Sequence, residues 1–188
     1  MSAGGDLSAS LGSVVWINGA FGAGKSTVAK RLATALPDAA IFDPEPLARF
    51  IRDAMPQSRR PRDYQDSALW RHLTAEAVAG LSAESGVVIV PMTLIDERYF
   101  ANTVGVLRAS GVHVHHFSLT ASPATIRRRL LKRQVTRLMH PRSTRWALGR
   151  VERCCAALGS STFHEQIDTD ALSVTEVVDQ ILRSIDAV

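Results

Sequence analysis

The chain has 188 residues, 46% of them apolar and 21% charged, with a formal net charge of +4. That fits one domain whose core needs no disulfide support, and it excludes a disordered chain, a collagen and a cysteine-stapled scaffold. No apolar run approaches the roughly 18 residues of a membrane span, and the Gly/Ser/Ala-rich start lacks the basic region of a secretory signal, so residues 1–13 read as a flexible tail, 14–188 as a single domain, and the protein as cytoplasmic.

Ser13-Val-Val-Trp-Ile-Asn18 predicts a strand that runs into a glycine-rich loop. Lys25 to Leu36 places Val28, Leu32 and Leu36 on one helical face and stops at Pro37. Ala40-Ile-Phe42 predicts a second strand ending at Asp43, followed by a helix from Glu45 to Met55. Residues 56–66 form a polar loop. Asp66 is placed to cap a helix reaching about Ser82, with Leu69, Leu73, Ala77 and Leu81 as its apolar stripe. Val87-Val-Ile-Val90 has the continuous apolar run of a strand covered on both faces. Arg98 to Ser110 predicts a helix closed by Gly111, and Val112 to Leu119 a strand. Ser122-Pro123 is an N-cap with proline in the first helical position, opening a helix to about Arg133. Trp146 to Leu158 reads as one helix containing the adjacent cysteines Cys154 and Cys155, which suit neither a bridge nor a zinc pair. Gln166-Ile-Asp168 is a short last strand, and Ser173-Val-Thr-Glu176 is a capping box for the final helix. The alternation predicts an α/β fold: a five-stranded parallel sheet with helices on both faces.

Gly19-Ala20-Phe21-Gly22-Ala23-Gly24-Lys25-Ser26 fits the pattern GxxxxGK[ST], between a predicted strand and a predicted helix. In such a phosphate-binding loop, backbone N–H groups and the helix N-terminus face a polyphosphate. Residues Gly19 to Thr27 are therefore the expected ATP cradle. Lys25 reaches the β- and γ-phosphates, and the Ser26 hydroxyl is the expected ligand for Mg2+. The fold expected is thus the three-layer P-loop NTPase type. A guanine-specificity motif is missing, and Pro91-Met92-Thr93 stands where a motor ATPase carries an acid. What remains is a small-molecule kinase with an Arg-rich lid at about 133–146.

Between Arg127 and Arg153 lie nine Arg and one Lys against a single acid, Glu152. Transferred phosphoryl groups are stabilised by such charge. Arg129 and Arg133, one helical turn apart, and Arg153 beyond them are the expected phosphoryl clamps. The basic residues are local and carry no nucleic-acid-binding pattern, so no nucleic-acid partner is expected. Asp43, at the carboxyl end of a strand, is placed to deprotonate an acceptor hydroxyl or hold a Mg2+-bound water, or else to cap the next helix. Glu45 is the second carboxylate there. Tyr64, Gln65 and Trp70 follow the helix after that strand, where an acceptor pocket belongs. Trp70 suits a stacking wall or a core anchor. Asp168 ends the last strand, beside the expected adenine loop. His113 and His115 share a strand face without a third metal ligand.

The stretch Ile17-Asn-Gly-Ala-Phe-Gly-Ala-Gly-Lys-Ser26 resembles the P-loop of the tunicamycin-resistance (TmrB-like) proteins. The likeness continues through Asp43-Pro44-Glu45, Arg52, Asp63-Tyr64-Gln65, Leu69-Trp70-Arg71, Val90-Pro-Met-Thr93, His115-His-Phe117, Arg153-Cys154 and Gln166-Ile-Asp168, covering about residues 14–182. This resemblance implies an ATP-binding protein with a nucleoside-monophosphate-kinase-like fold that confers resistance to tunicamycin, a uridine-containing antibiotic, and it adds Arg52 and Asp63 to the acceptor pocket. The family's association with the membrane surface implies peripheral attachment at most, since this sequence has no strongly basic amphipathic helix. The expectation is phosphoryl transfer from ATP to a hydroxyl of a nucleoside-type antibiotic. The alternatives are ATP-dependent sequestration of the drug and a kinase of a nucleotide or sugar metabolite.

Overall fold

The computed structural model describes residues 12–136, 140–163 and 165–186. In chain order the elements are β1 (Ser13–Gly19), α1 (Lys25–Ala35), β2 (Ala40–Ile41), α2 (Glu45–Ala54), α3 (Ala68–Ser85), β3 (Val87–Pro91), α4 (Glu97–Phe100), α5 (Val106–Ala109), β4 (His113–Thr120), α6 (Pro123–Val135), α7 (Pro141–Leu148), α8 (Val151–Leu158), β5 (Gln166–Asp168) and α9 (Val174–Asp186). Strand β1 is buried from Val14 onward, and β3 buries Val88, Ile89 and Val90 in succession. Neighbouring residues of a strand face opposite sides, so unbroken burial requires cover on both faces of the sheet. Helix α1 packs on α9 and on β1 and β3, and α3 packs on β3 and β1.

The sheet is parallel throughout, in the order β2-β3-β1-β4-β5. From the central β1 the chain crosses to β2 and β3 on one side, then to β4 and β5 on the other. Ligands of open parallel sheets bind beyond the carboxyl ends of the strands where the winding reverses. Here that point is the end of β1, which leads into the glycine-rich loop. Asn18, fully buried, pins this end: its side chain donates to Leu94 O at 2.7 Å and accepts from Leu94 N at 2.9 Å.

Four local expectations change. Helix α3 is capped by Ser67, whose hydroxyl accepts the Trp70 N–H, whereas the Asp66 carboxylate accepts the Tyr99 hydroxyl at 2.9 Å. Its buried stripe is Trp70, Thr74, Val78 and Ser82, one residue on from the predicted leucine stripe, and Leu69 is 53% exposed. The helix predicted from Arg98 to Ser110 contains a π turn, Ala101–Gly105, between α4 and α5. The Thr103 hydroxyl donates to Tyr99 O within that widened turn. The helix predicted from Trp146 to Leu158 starts earlier, at Pro141, with His140 as its cap, and breaks between Leu148 and Val151. Gly149, a poor helix residue, sits at the break. Residues 1–11 of the expected tail and 137–139 of the expected lid lie outside the described residues. Among the described residues no helix is long and apolar enough to cross a membrane.

Candidate active site

Helix α1 begins directly after the loop. Its N-cap, Gly24, has φ +105° and no side-chain hydrogen bond to the first turn, and Ser26 and Thr27 are exposed. The Thr27 and Val28 amides donate to Gly24 O, which leaves those of Lys25 and Ser26 open, and a helix N-terminus with a positive end attracts anions. Gly22 has φ +90°, and a Cβ there would lie 3.3 Å from Leu130 of α6. Ala20 and Ala23 are buried on the back of the loop.

Lys25 Nζ donates to Gly19 O at 2.9 Å, to Ala20 O at 3.1 Å and to Thr93 Oγ1 at 2.7 Å. Burial pulls its pKa down from 10.5 to about 8, against the attraction of Cys154, Glu45 and Asp43. A buried ammonium short of negative charge is what a polyphosphate would complete. Lys25, Ser26, Asp43, Glu45, Thr93 and Arg133 line one cavity of about 190 Å3. The residues present therefore fit a triphosphate. For a divalent cation, a hydroxyl and two carboxylates line the same space. Asp43 Oδ1 accepts the Glu45 N–H at 3.0 Å, so this carboxylate both turns the chain into α2 and faces the cavity. Burial, and then the neighbouring Asp43, raise the pKa of Glu45.

This cavity shares lining residues with a neighbour on each side. Gly22, Gly24 and Arg133 also line a second cavity of about 340 Å3, walled by Val28, Leu172 and Val177. Phe21 and Thr93 also line a third, of about 190 Å3, which contains Asp63, Tyr64, Gln65 and Arg153. Their shared lining residues set the three in a row, a segmented trough along the carboxyl edge of the sheet, with the phosphate-loop lysine in the middle one.

The remaining predicted residues are distributed unevenly. Arg129 does not reach the central cavity: it donates to Thr169 Oγ1 at 2.9 Å and Thr169 O at 2.6 Å, bracing the loop after β5. Arg133, near the end of α6, lines the central cavity beside the phosphate loop, and Arg153 belongs to the third cavity. Asp168 is exposed, and its Oδ1 accepts the Asp170 N–H. Its neighbour Thr169 lines the 340 Å3 cavity instead. Trp70 lines none of the three. It is fully buried, its indole N–H donates to Pro44 O at 3.1 Å, and its ring meets Tyr64 edge-on, so it is a core anchor behind the pocket. Arg52 is exposed near the end of α2, away from the trough. Asp63 accepts the Gln65 N–H, and burial raises the pKa of the Tyr64 hydroxyl.

Sequence reasoning missed Thr93, Trp146 and Arg150 as lining residues. Trp146 meets Phe21 edge-on with centroids 4.8 Å apart, and the Arg150 guanidinium lies 3.8 Å from the Trp146 ring centroid. The signal for Thr93 was its place just beyond the strand next to β1. For Trp146 it was a single aromatic within the Arg-rich segment. Arg127 pairs with Glu152, the one acid of that segment, and so ties α6 to α8.

The AAA domain family model matches residues 14–153. No curated protein sequence matches the chain significantly. Among solved structures, the Deinococcus radiodurans tunicamycin resistance protein superposes with a TM-score of 0.75 at 30% identity, covering 93% of this chain and 95% of that one. A Sinorhizobium meliloti gluconokinase gives 0.63 at 20% identity, covering 94% and 93%. The Mycobacterium tuberculosis APS kinase, in complex with AMPPNP and APS, gives 0.61 at 18% identity, covering 93% and 98%. The last two share the fold alone. The family match over most of the chain and the near-complete overlap with the Deinococcus protein place this chain in the AAA domain family, among the tunicamycin-resistance proteins with a P-loop kinase fold.

Proposed function

We propose that the protein is an ATP-dependent phosphotransferase acting on a hydroxyl of a small molecule, with a nucleoside antibiotic of the tunicamycin type as acceptor. The observation that carries this reading is the single trough in which Lys25 and Asp43 share the middle cavity, with a larger cavity on one side and a polar, aromatic-walled one on the other. The Lys25 and Ser26 amides at the start of α1, the Lys25 ammonium and Arg133 hold the phosphates. Leu172 and Val177 offer an apolar wall to the nucleotide base, beside the Thr169 loop braced by Arg129. Ser26, with Asp43 and Glu45 nearby, suits hydrated Mg2+, which when bound neutralises charge on the β- and γ-phosphate oxygens. Phe21, Tyr64 and Trp146 suit a planar ring, and Gln65 and Arg153 suit its polar substituents.

The acceptor oxygen bonds to the γ-phosphorus as the bond from phosphorus to the ADP oxygen breaks, and Asp43 takes the hydroxyl proton. Most of the rate gain in such reactions is positioning and charge stabilisation, which Lys25 and Arg133 supply. A second reading, ATP-dependent sequestration, draws on Lys25 being tied to its own loop and on the neutral Thr93 at the strand end. Incubation with Mg-ATP and tunicamycin, followed by mass spectrometry of the drug, separates them. A gain of one phosphoryl group, lost in Lys25→Ala, is the expected result. Unchanged drug that binds only with ATP means sequestration, and unchanged drug that does not bind redirects the search to metabolite acceptors.

A further inference from the structure

Gln65 sits in a short 3₁₀ turn, Tyr64–Asp66, between α2 and α3, and its backbone is tied on both sides. Its N–H donates to Asp63 Oδ1 at 3.1 Å, and its carbonyl accepts from the Arg71 guanidinium. Arg71 is held in turn by the Tyr99 ring, 4.3 Å from its centroid, and Tyr99 by its bond to Asp66. The side chain is fixed as well. Gln65 Nε2 donates to Thr93 O at 2.7 Å. A carbonyl only accepts, so the end of the carboxamide that faces it is the NH2 end. The carboxamide also meets the Tyr64 phenol as a donor, drawing its pKa down against the rise that burial causes. The Tyr64 hydroxyl turns its own proton to Met92 Sδ, 4.0 Å away. The amide protons are thus directed into the protein. What this half-buried side chain has left to offer a ligand is Oε1, which only accepts. Among the described residues none donates to Oε1, and it is not one of the buried atoms without a partner, so it is open to the cavity that Gln65 lines.

A glutamine has many rotamers to lose, and this one is held in a single orientation before any ligand arrives. The rings of Phe21, Tyr64 and Trp146 on the same cavity suit a flat ligand. The acids of the cavity have local duties: Asp63 and Asp66 accept the bonds given above, and Asp96 accepts the Arg98 and Tyr99 amides. A cationic donor would favour those carboxylates, whereas a neutral carbonyl suits a neutral N–H. Arg153, on the same cavity, has donors only and suits a carbonyl of the ligand. We infer that Gln65 is a specificity-determining residue of the acceptor site, whose Oε1 accepts the ring N–H of a flat, uncharged heterocycle with a carbonyl beside that N–H. Imides and lactams form this class, and uracil belongs to it. The inference rests on the acceptor-pocket reading above and names the chemistry that this pocket selects.

The probes are uridine and 3-methyluridine, in which a methyl group replaces the one imide proton and the carbonyls and ribose stay as they were. Binding is measured by calorimetry on the full chain with Mg-ADP present. Wild type should bind 3-methyluridine at least about tenfold more weakly than uridine, because the methyl group leaves Oε1 unpaired. Gln65→Ala removes the acceptor and makes room for the methyl group. It should bind uridine about tenfold more weakly than wild type does, and the two nucleosides within about twofold of each other. A Gln65 that merely shapes the pocket would weaken both ligands by the same factor and leave their ratio as in wild type, and that result overturns the inference. Gln65→Met, similar in length and without the acceptor, makes the same test if circular dichroism shows that the alanine variant does not fold.

Tunicamycin titrated beside the nucleosides separates the two ways of failing. Wild type that binds tunicamycin and uridine but tolerates the methyl group overturns the role of Gln65 and leaves the acceptor pocket standing. Tunicamycin binding without uridine binding places recognition outside the ring and overturns the inference too. Wild type that binds none of the three, while still binding Mg-ATP, defeats the acceptor reading and the inference with it.

Discussion

The Asp43 carboxylate accepts the Glu45 N–H at 3.0 Å while lining the cavity that holds Lys25, so a structural bond and the proposed proton acceptance fall on one side chain. They separate under Asp43→Asn, because an amide oxygen can still accept the turn bond but neither takes a proton nor carries charge. The turnover number is expected to fall by about 100-fold or more, with ATP affinity within roughly threefold of wild type. Steady-state kinetics beside calorimetric ATP binding tests this, and full turnover would leave Asp43 as a turn residue only. Loss of the Asp43 charge also removes one of the influences that raise the pKa of Glu45. At this scale the phosphate loop was legible because its spacing is set by covalent geometry: glycines at fixed steps and a lysine opening a helix. The individual arginines were not. Arg129 and Arg133 share a helix face, yet one braces Thr169 and the other faces Lys25, and that split depends on what lies opposite each. Trp70 was equally ambiguous, since a tryptophan suits a pocket wall or a core, and only its fully buried ring decides.

Helix α6 is set against the phosphate loop through a small contact with a large lever. Gly22 lies where a Cβ would come 3.3 Å from the Leu130 side chain, in a backbone conformation with φ +90° that disfavours any other residue. Gly22→Ala should therefore destabilise the fold by about 1–2 kcal/mol and push α6, with Arg133, off the loop. Urea denaturation and ATP affinity measured together check this; an unchanged midpoint with unchanged affinity would mean that the loop relaxes freely. Helix existence was readable from caps, prolines and periodicity at most places. The face of α3 was not: its buried stripe begins at Trp70 rather than Leu69, because α2, β3 and the π turn surround it and select the side holding the largest ring. The break between α7 and α8 similarly follows from Gly149 combined with the need to set Trp146 against Phe21.

Across the whole molecule the trough joins loops from both halves of the sheet: the phosphate loop and the segments after β2 and β3 on one side, and α6, α8 and the loop after β5 on the other. A ligand spanning it links elements far apart in sequence, so binding should stabilise the fold as a unit. At 100 times its Kd, Mg-ATP is expected to add about 2.7 kcal/mol, which for a chain of this size raises Tm by roughly 5–10 °C. A thermal melt with and without Mg-ATP measures this, with Lys25→Ala abolishing the shift. No change in wild-type Tm would count against nucleotide binding. The sequence by itself determined the class of fold, the place of the phosphate loop and the kinase-like character of the chain, because alternating apolar periods, caps and glycine spacing are local properties written along the chain. Only the tertiary structure decided which arginine lines the cavity with Lys25, that Trp70 is core, and that Thr93 holds Lys25. Those facts depend on side chains from distant segments meeting at the carboxyl edge of the sheet, and a period or a motif carries no information about what stands across a cavity.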